Sequence, residues 1–180
     1  MKTKIPGVIS IASFGAIRPL KNQLIQGMAA MAFANELGKS LHFHINHSRI
    51  ETNGENVYRN LVSLFEGTPH KLIIHEWILH KDFLRLIHKI DIGMQVSFSE
   101  TFNIVAADFA HLRVPIVGSS EIEWMSSLYK ADPTNLDDIV SHLWMAWLGK
   151  PFGLHSLNTW GLNNYNKNSK QVWKDLLAIQ

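Results

Sequence analysis

The chain has 180 residues, of which 46% are hydrophobic and 18% are charged, proportions that are ordinary for a globular domain with a buried core. Cysteine is absent, which excludes disulfides, thiolate nucleophiles and thiolate metal sites, so any chemistry must use oxygen and nitrogen groups. Seventeen Lys and Arg against fifteen Asp and Glu give a net charge of +2 without a basic block, so we expect no nucleic-acid partner.

The first two thirds of the chain alternate short apolar runs with segments of helical periodicity. Strands are predicted at 8–14, 41–47, 71–77, 91–98 and 114–119. Helices are predicted between them at 22–38, 55–65, 81–89 and 100–113. This alternation is typical of βαβ units and predicts an α/β fold, a doubly wound parallel sheet covered by helices on both faces.

After about residue 120 the alternation fades into a helical tail. A helix is predicted at 135–150, with Asn135 as its cap, and residues 161–180 are expected to form a polar turn and one more amphipathic helix. No linker or repeat is present, so we expect a single domain over 1–180, with a core at about 5–125 and a tail at about 135–180. Without a secretory leader or a long apolar run, we expect a cytoplasmic protein without a transmembrane segment.

The first strand-to-helix junction, SFGAIRPLKN at 13–22, is a candidate anion site. Ligands of open parallel sheets bind beyond the carboxyl ends of the strands, where helix N-termini favour negative charge. Gly15 permits a tight turn, and the basic Arg18 and Lys21 could meet a diphosphate there. A solvent-exposed loop is the alternative, and the spacing alone favours it. Neither GxxxxGK[ST] nor GxGxxG is present, so classical kinases, GTPases and nicotinamide dehydrogenases lose support.

The fourth junction, SFSETFNIVAAD at 97–108, places two acids in an apolar run. If a helix begins at Glu100 with Ser99 as its cap, Asp108 lies about 12 Å further along the axis. That separation exceeds the roughly 5 to 9.5 Å of a glycosidase carboxylate pair. The acids would therefore touch different parts of one long ligand or act separately. Helix-dipole complementation by Glu100 and an exposed position for Asp108 are the simpler alternatives.

Two other patterns are interpreted as structural. His42, His44 and His47 alternate along a predicted strand, but no further ligand is placed by the sequence, so packed or exposed histidines are favoured over a metal site. Trp77, after the third strand, is interpreted as a core or rim aromatic, with a packing surface for a nucleotide base as the alternative.

Both junctions resemble motifs of one enzyme family. SFSETFNIVAAD followed by FAHLRVPIVGSSEI is similar to the E-x(7)-E signature of family 4 (group 1) glycosyltransferases, and FGAIRPLKNQ resembles the first junction of the same family. The resemblance covers roughly residues 5–125 and implies the C-terminal, donor-binding half of the two-domain GT-B fold, which is Rossmann-like. Two departures stand out: Asp108 takes the place of the usual second Glu, and Ala16 stands where the family often has arginine.

The resemblance implies a donor site built from seven residues: Gly15, Arg18, Lys21, Glu100, Thr101, Phe102 and Asp108. In it, Arg18 and Lys21 would contact the diphosphate of a UDP-sugar or GDP-sugar, and backbone N–H groups near Thr101 and Phe102 would face phosphate. Glu100, the implied catalytic residue, would approach the sugar, and Asp108 would accept hydrogen bonds from the ribose. Neither a metal nor another cofactor is expected.

The resemblance also implies that an N-terminal, acceptor-binding domain is missing, because the sequence begins almost at the first predicted strand. The leading hypothesis is therefore a glycosyltransferase donor domain that is a transferase only with an acceptor-domain partner chain. The second hypothesis is a non-catalytic module of the same fold that binds a nucleotide sugar or another protein. Its partner could be another copy of this chain, in a homo-oligomer. An unrelated flavodoxin-like domain is the third, and it would be favoured if the first and fourth junctions did not meet in one cleft.

Overall fold

A computed structural model describes residues 5–178, which form one five-stranded parallel sheet flanked by helices. The strands are β1 Val8–Ala12, β2 Ser40–Asn46, β3 Lys71–His75, β4 Ile92–Gln95 and β5 Ile116–Gly118. Their order across the sheet is β3-β2-β1-β4-β5. The predicted doubly wound parallel sheet is confirmed. A flavodoxin-like sheet has the different order 2-1-3-4-5, so the third hypothesis is wrong.

Helices cover both faces of the sheet. They are α1 Gln23–Glu36, α2 Gly54–Phe65, α3 His80–Ile87, α4 Ile104–His111, α5 Leu136–Gly149 and α6 Ser156–Ala178. Helix α1 packs against α2 and α5, whereas α4 packs over β4 and β5 and carries α6 on its outer side. Because helices lie on both sides, the central strands β1 and β4 are mostly apolar, and all four residues of β4 are buried.

An aromatic cluster fills the core beneath the carboxyl ends of the strands. The Phe14 ring, just after β1, lies 5.1 Å from Phe83 of α3 and 6.3 Å from Phe109 of α4, centroid to centroid. Gly93 of β4 makes room for this packing, since a Cβ there would lie 2.7 Å from the Phe109 ring. The close packing fixes α3 and α4 relative to β1 and β4, and with them the loops that precede both helices.

Helix α4 begins four residues later than predicted. The predicted start at Glu100 with Ser99 as cap is wrong, because Asn103 is the cap and residues 100–103 form a non-helical loop. The Asn103 side chain accepts a hydrogen bond from the backbone N–H of Ala106 at 2.9 Å, and its amide donates to Gln95 at 2.9 Å. The helical 12 Å estimate for the separation of Glu100 and Asp108 therefore loses its basis.

The tail also differs from its prediction, since the polar stretch that was expected to turn lies inside the 23-residue helix α6. The start of α6 is held by Asn158, whose side chain accepts from Ser126 N–H at 3.0 Å and donates to Ile116 C=O at 3.2 Å. Gly161 is in close contact with the loop after β5, because a Cβ there would lie 2.2 Å from the Trp124 carbonyl oxygen. Within residues 5–178, no helix is both long and apolar enough to cross a membrane.

Candidate functional site

The strand order creates a crevice between the loops that follow β1 and β4. The chain runs outward from β1 through β2 to β3 and then crosses back to β4 on the other side of β1. This reversal is the topological switch point at which open α/β sheets bind ligands. The two loops touch directly, since the Phe98 N–H donates to the Leu20 C=O at 2.9 Å. The first and fourth junctions thus meet in one cleft.

Lys21 and Glu100 form an ion pair across this crevice. Lys21 ends a short 3-10 helix at Pro19–Lys21, and its ammonium group contacts the Glu100 carboxylate. The side chains are only 13% and 5% exposed, so the pair is largely removed from water. The Lys21 side chain also passes close to Gly15, since a Cβ at Gly15 would lie 3.9 Å from the Lys21 Nζ atom. An anionic ligand that binds the Lys21 ammonium group would have to compete with the Glu100 carboxylate.

Gly15 shapes the first junction through its backbone. Its φ of +116° lies in a region that L side chains rarely adopt, so glycine is required for the conformation of the turn. The Gly15 N–H donates to the Asn46 side chain at 3.1 Å, which ties the end of β2 to the turn after β1. The turn is therefore held from a second strand end, which the sequence did not indicate.

Buried amides connect the two loops, and sequence reasoning missed them. Gln26 of α1 accepts from the Val96 N–H at 3.1 Å and donates to the Lys21 C=O at 2.6 Å. Gln95 donates to the Phe14 C=O at 2.7 Å and accepts from the Lys21 ammonium at 3.4 Å. Gln26 recurs with Gln23 at helical spacing on the buried face of α1, and this was the available signal for it. Satisfied amides of this kind hold Lys21 at a fixed position.

A cavity of about 390 Å³ opens beside the ion pair, where four strand-to-helix junctions meet. It is lined by Gly15, Ala16, Asn46, Ser48, Arg49, Trp77, Ile78, His80, Phe83, Ile104, Val105 and Asp108. Ile104 and Val105 are the first two residues of α4, so the N-terminus of that helix borders the cavity. The first N–H groups of a helix have no partner within the helix, and they favour an anion.

Asp108 faces this cavity together with His80, the first residue of α3. The His80 Nε2 atom lies 3.2 Å and 3.1 Å from the two Asp108 carboxylate oxygens. Asp108 is 16% exposed, whereas His80 is 66% exposed, so His80 contacts the carboxylate on the side that faces solvent. His80 was not among the predicted site residues. Its place at a strand-to-helix junction was the signal that could have identified it.

The remaining predicted residues lie at the margin of the site. Arg18 is turned away from the cavity, with its Nη1 atom 3.3 Å from Glu51, and it lines a different pocket beside Pro19 and Asn53. Thr101 and Phe102 lie in the loop before α4, where the Phe102 C=O accepts a hydrogen bond from the Trp124 indole at 2.8 Å. The structure thus brings Gly15, Lys21, Glu100 and Asp108 to one crevice and leaves Arg18 outside it.

Trp77 and the histidines of β2 take clear positions. Trp77 is 73% exposed on the cavity rim, which agrees with a rim aromatic and not with a core one.

His44 of β2 lies against His75 of β3, with 2.9 Å between His44 Nδ1 and His75 Nε2. Burial, aided by the nearby His75 and His42, lowers the pKa of His44 to about 3. Among residues 5–178, no group of three or more His, Asp or Glu side chains is placed to hold a metal ion.

Comparison with solved structures identifies proteins that share this fold. The C-terminal domain of a glycosyl transferase group 1 family protein, LpcC from Francisella tularensis, superposes with a TM-score of 0.73 at 14% identity, over 87% of this chain and 85% of that domain. The chain has the fold of a GT-B C-terminal domain. No protein-family model matches its sequence, and no curated protein sequence matches significantly.

Two longer proteins share this GT-B C-terminal fold. An E. coli trehalose-6-phosphate structure bound with UDP-2-fluoro glucose gives a TM-score of 0.75 at 15% identity, over 96% of this chain and 43% of that one. A UDP-forming α,α-trehalose-phosphate synthase from Burkholderia xenovorans gives 0.71 at 16% identity, over 97% and 44%. The chain therefore spans less than half the length of these two proteins. The predicted resemblance is confirmed at the level of the fold.

Proposed function

We propose that this chain is the donor-binding domain of a glycosyltransferase and binds a nucleoside-diphosphate sugar, UDP-linked or GDP-linked, in the crevice between β1 and β4. The observation that carries the proposal is the meeting of Lys21 and Glu100 at the switch point, beside a cavity that also contains Asp108 and the start of α4. These groups provide a cation, a helix N-terminus and a hydroxyl acceptor within one site.

The distribution of the groups matches the parts of a nucleotide sugar. Lys21 and the N-terminus of α4 would bind the diphosphate, whose charge increases as the sugar leaves. Glu100 beside Lys21 would approach the sugar, and Asp108 would accept hydrogen bonds from the ribose. Trp77 on the rim offers an apolar surface for the base. The UDP-sugar analogue bound in the E. coli structure of the same fold supports this choice of ligand class.

Calorimetry with UDP, GDP, UDP-glucose and GDP-mannose tests the proposal, and absence of binding to all four at millimolar concentration would overturn it. Asp108→Ala should weaken binding by about tenfold, the loss expected for hydrogen bonds to one charged acceptor. Asp82→Ala is the matched control, because Asp82 is a half-exposed acid on α3 that pairs with Arg85 and does not line the cavity. The control should bind as tightly as the unaltered chain.

Transfer itself requires a second component in this proposal, an acceptor-binding domain. An alternative, favoured by the surface of α6, is a non-catalytic module that pairs with another chain. Val172, Trp173 and Leu177 in the last turns of α6 are 66%, 62% and 62% exposed, and clustered apolar surface of this kind marks interaction sites. Light scattering after gel filtration and an assay of donor hydrolysis separate the two. A stable oligomer without donor binding or hydrolysis would favour the module.

A further inference from the structure

The loop after β2 is joined to the loop after β1, and this places Arg49 beside the candidate donor site. The Ile17 N–H donates to the Arg49 C=O at 2.9 Å, and the Glu51 N–H donates to the Ile17 C=O at 3.0 Å. Between these bonds Ile17 and Ile50 form a parallel bridge. The main chain of Arg49 is therefore fixed directly next to Ala16 and Ile17.

The Arg49 side chain lines the same cavity as Gly15, Ala16 and Asp108. It is 77% exposed, and its Nη2 atom lies 2.8 Å from the Glu51 carboxylate. Glu51 is only 28% exposed, but the Arg49 end of the pair faces water, so the pair contributes little stability and a diphosphate can replace Glu51 as the partner of Arg49. Of the side chains that line the described cavity, Arg49 alone carries a permanent positive charge.

Arg18 is bound to the other oxygen of the same carboxylate. Its Nη1 atom lies 3.3 Å from Glu51 Oε2, whereas Arg49 pairs with Oε1. Arg18 faces a separate pocket formed with Pro19 and Leu20, and it does not line the donor cavity. Glu51 thus separates two arginines, one directed toward the donor cavity and one directed away from it.

We infer that Arg49 is the second phosphate-binding cation of the site, alongside Lys21, and that Arg18 does not bind the diphosphate. A diphosphate needs more than Lys21, because Glu100 already neutralises that ammonium group. The guanidinium fork of Arg49 suits two phosphate oxygens, and the small Ala16 beside it leaves the space where the resembled family often has its arginine. This inference rests on the proposed function, since it names a residue of the same site.

Binding of UDP and GDP to two matched variants tests the inference by calorimetry. Arg49→Gln should lower the affinity for whichever nucleotide the unaltered chain binds by about tenfold, as expected when a charge-assisted bidentate contact is lost. Arg18→Gln should change the affinity by less than about threefold, since Arg18 and its partly buried pair with Glu51 lie outside the cavity. An unchanged affinity in Arg49→Gln, or a larger loss in Arg18→Gln, would overturn the inference and leave the proposed function standing.

Two further measurements separate phosphate binding from a structural effect. Uridine and guanosine lack phosphate, so their affinity should be the same in Arg49→Gln and in the unaltered chain. Adding Ala16→Arg to Arg49→Gln should restore UDP or GDP affinity, because position 16 lines the same cavity. Equal weakening of nucleoside and nucleotide, or failure of the double variant to regain affinity while it remains folded by circular dichroism, would contradict the assignment. Failure of the unaltered chain to bind UDP and GDP would overturn both proposals.

Discussion

Lys21 and Glu100 lie 79 positions apart in the sequence, and their side chains form an ion pair in which neither partner is more than 13% exposed. The pair joins the loop after β1 to the loop after β4 across the topological switch point. A charged group buried to this degree is tolerated only with its partner in place. Two residues of the candidate donor site therefore also contribute to the stability of the fold.

Removing one partner of this pair should cost more than removing both. Lys21→Met leaves the Glu100 carboxylate without its cation, and we expect a loss of about 3 kcal/mol in the free energy of unfolding. The double variant Lys21→Met, Glu100→Gln should lose clearly less, because no uncompensated charge remains. Urea unfolding of the four proteins of this double-mutant cycle gives the coupling energy.

The exposed Asp82–Arg85 pair on α3 provides the control for that cycle. Its side chains are 48% and 65% exposed, so the corresponding cycle should give a coupling of about 0.5 kcal/mol or less. If the two cycles gave equal coupling energies, burial of Lys21 and Glu100 would have no energetic consequence.

Asn103 should be worth more to stability than an ordinary helix cap. It caps α4 with its side chain, and its φ of +53° is in the left-handed region that asparagine tolerates better than alanine. Asn103→Ala should therefore cost about 2 to 3 kcal/mol, the sum of a lost cap, a strained backbone and the lost buried hydrogen bond to Gln95. Asn103→Gly loses the cap and the bond to Gln95 without the backbone strain, so it should cost less than Asn103→Ala, as measured by urea unfolding.

Asn135 is the matched control for this prediction. It caps α5 by accepting from Asp138 N–H at 3.1 Å, but its φ is −116°, which alanine adopts without strain. Asn135→Ala should therefore cost about 1 kcal/mol, the usual value of a cap. Equal losses in Asn103→Ala and Asn135→Ala would show that neither the left-handed backbone of Asn103 nor its bond to Gln95 contributes measurably to stability.

The fold was predictable from the sequence because its signals are local. Mostly apolar strands such as Ile92–Gln95 alternate with segments of helical periodicity, and that pattern alone indicates a parallel sheet covered on both faces. Right-handed crossovers then bring the carboxyl ends of neighbouring strands to one edge. Lys21 and Glu100 were identified because they follow those strand ends, and Asp108 because an acid is unexpected in an apolar helical run.

The details that local signals missed depend on contacts between distant residues. Residues 100–103 offered an acid after a serine, a good local start for a helix, but Asn103 bonds to Gln95 and moves the start to Ile104. Arg18 and Arg49 carry the same charge, and only the pairing of Ile17 with Ile50 determines which of them faces the cavity. Such pairings cannot be deduced from spacing.

Gly54 should be essential to the joined loops because its α-hydrogen faces a backbone carbonyl. A Cβ at Gly54 would lie 2.1 Å from the Ile17 carbonyl oxygen and 2.9 Å from Ile50 Cγ2. Backbone atoms cannot rotate away, so Gly54→Ala should cost about 2 to 3 kcal/mol despite its better helix propensity. It should also displace Arg49, and thereby weaken nucleotide binding.

Asn60→Ala, an exposed substitution on the same helix, is the control for Gly54→Ala. It should be neutral or slightly stabilising by urea unfolding, because alanine is the better helix former and no contact is lost. If Gly54→Ala were as stable as Asn60→Ala, the close approach of Ile17 to the start of α2 would be wrong.

Stability should fall in mild acid because of His44. The unfolded chain binds a proton at His44 below about pH 6.5, whereas burial beside His75 and His42 lowers the native pKa of His44 to about 3. The unfolded state therefore holds more protons between these two values. The contribution of His44 is complete above about pH 6.5 and is lost progressively as the pH falls toward 3.

His44→Phe keeps a ring beside His75 but cannot be protonated. Between about pH 7.5 and pH 5, the unaltered chain should lose about 1 to 2 kcal/mol more unfolding free energy than this variant. Urea unfolding at both pH values measures the difference. The Hε1 resonance of His44 gives an independent readout, since it should hardly shift over that range. A midpoint near pH 6 for this resonance, or equal acid sensitivity in both proteins, would show that His44 is protonated as readily in the native state as in the unfolded chain.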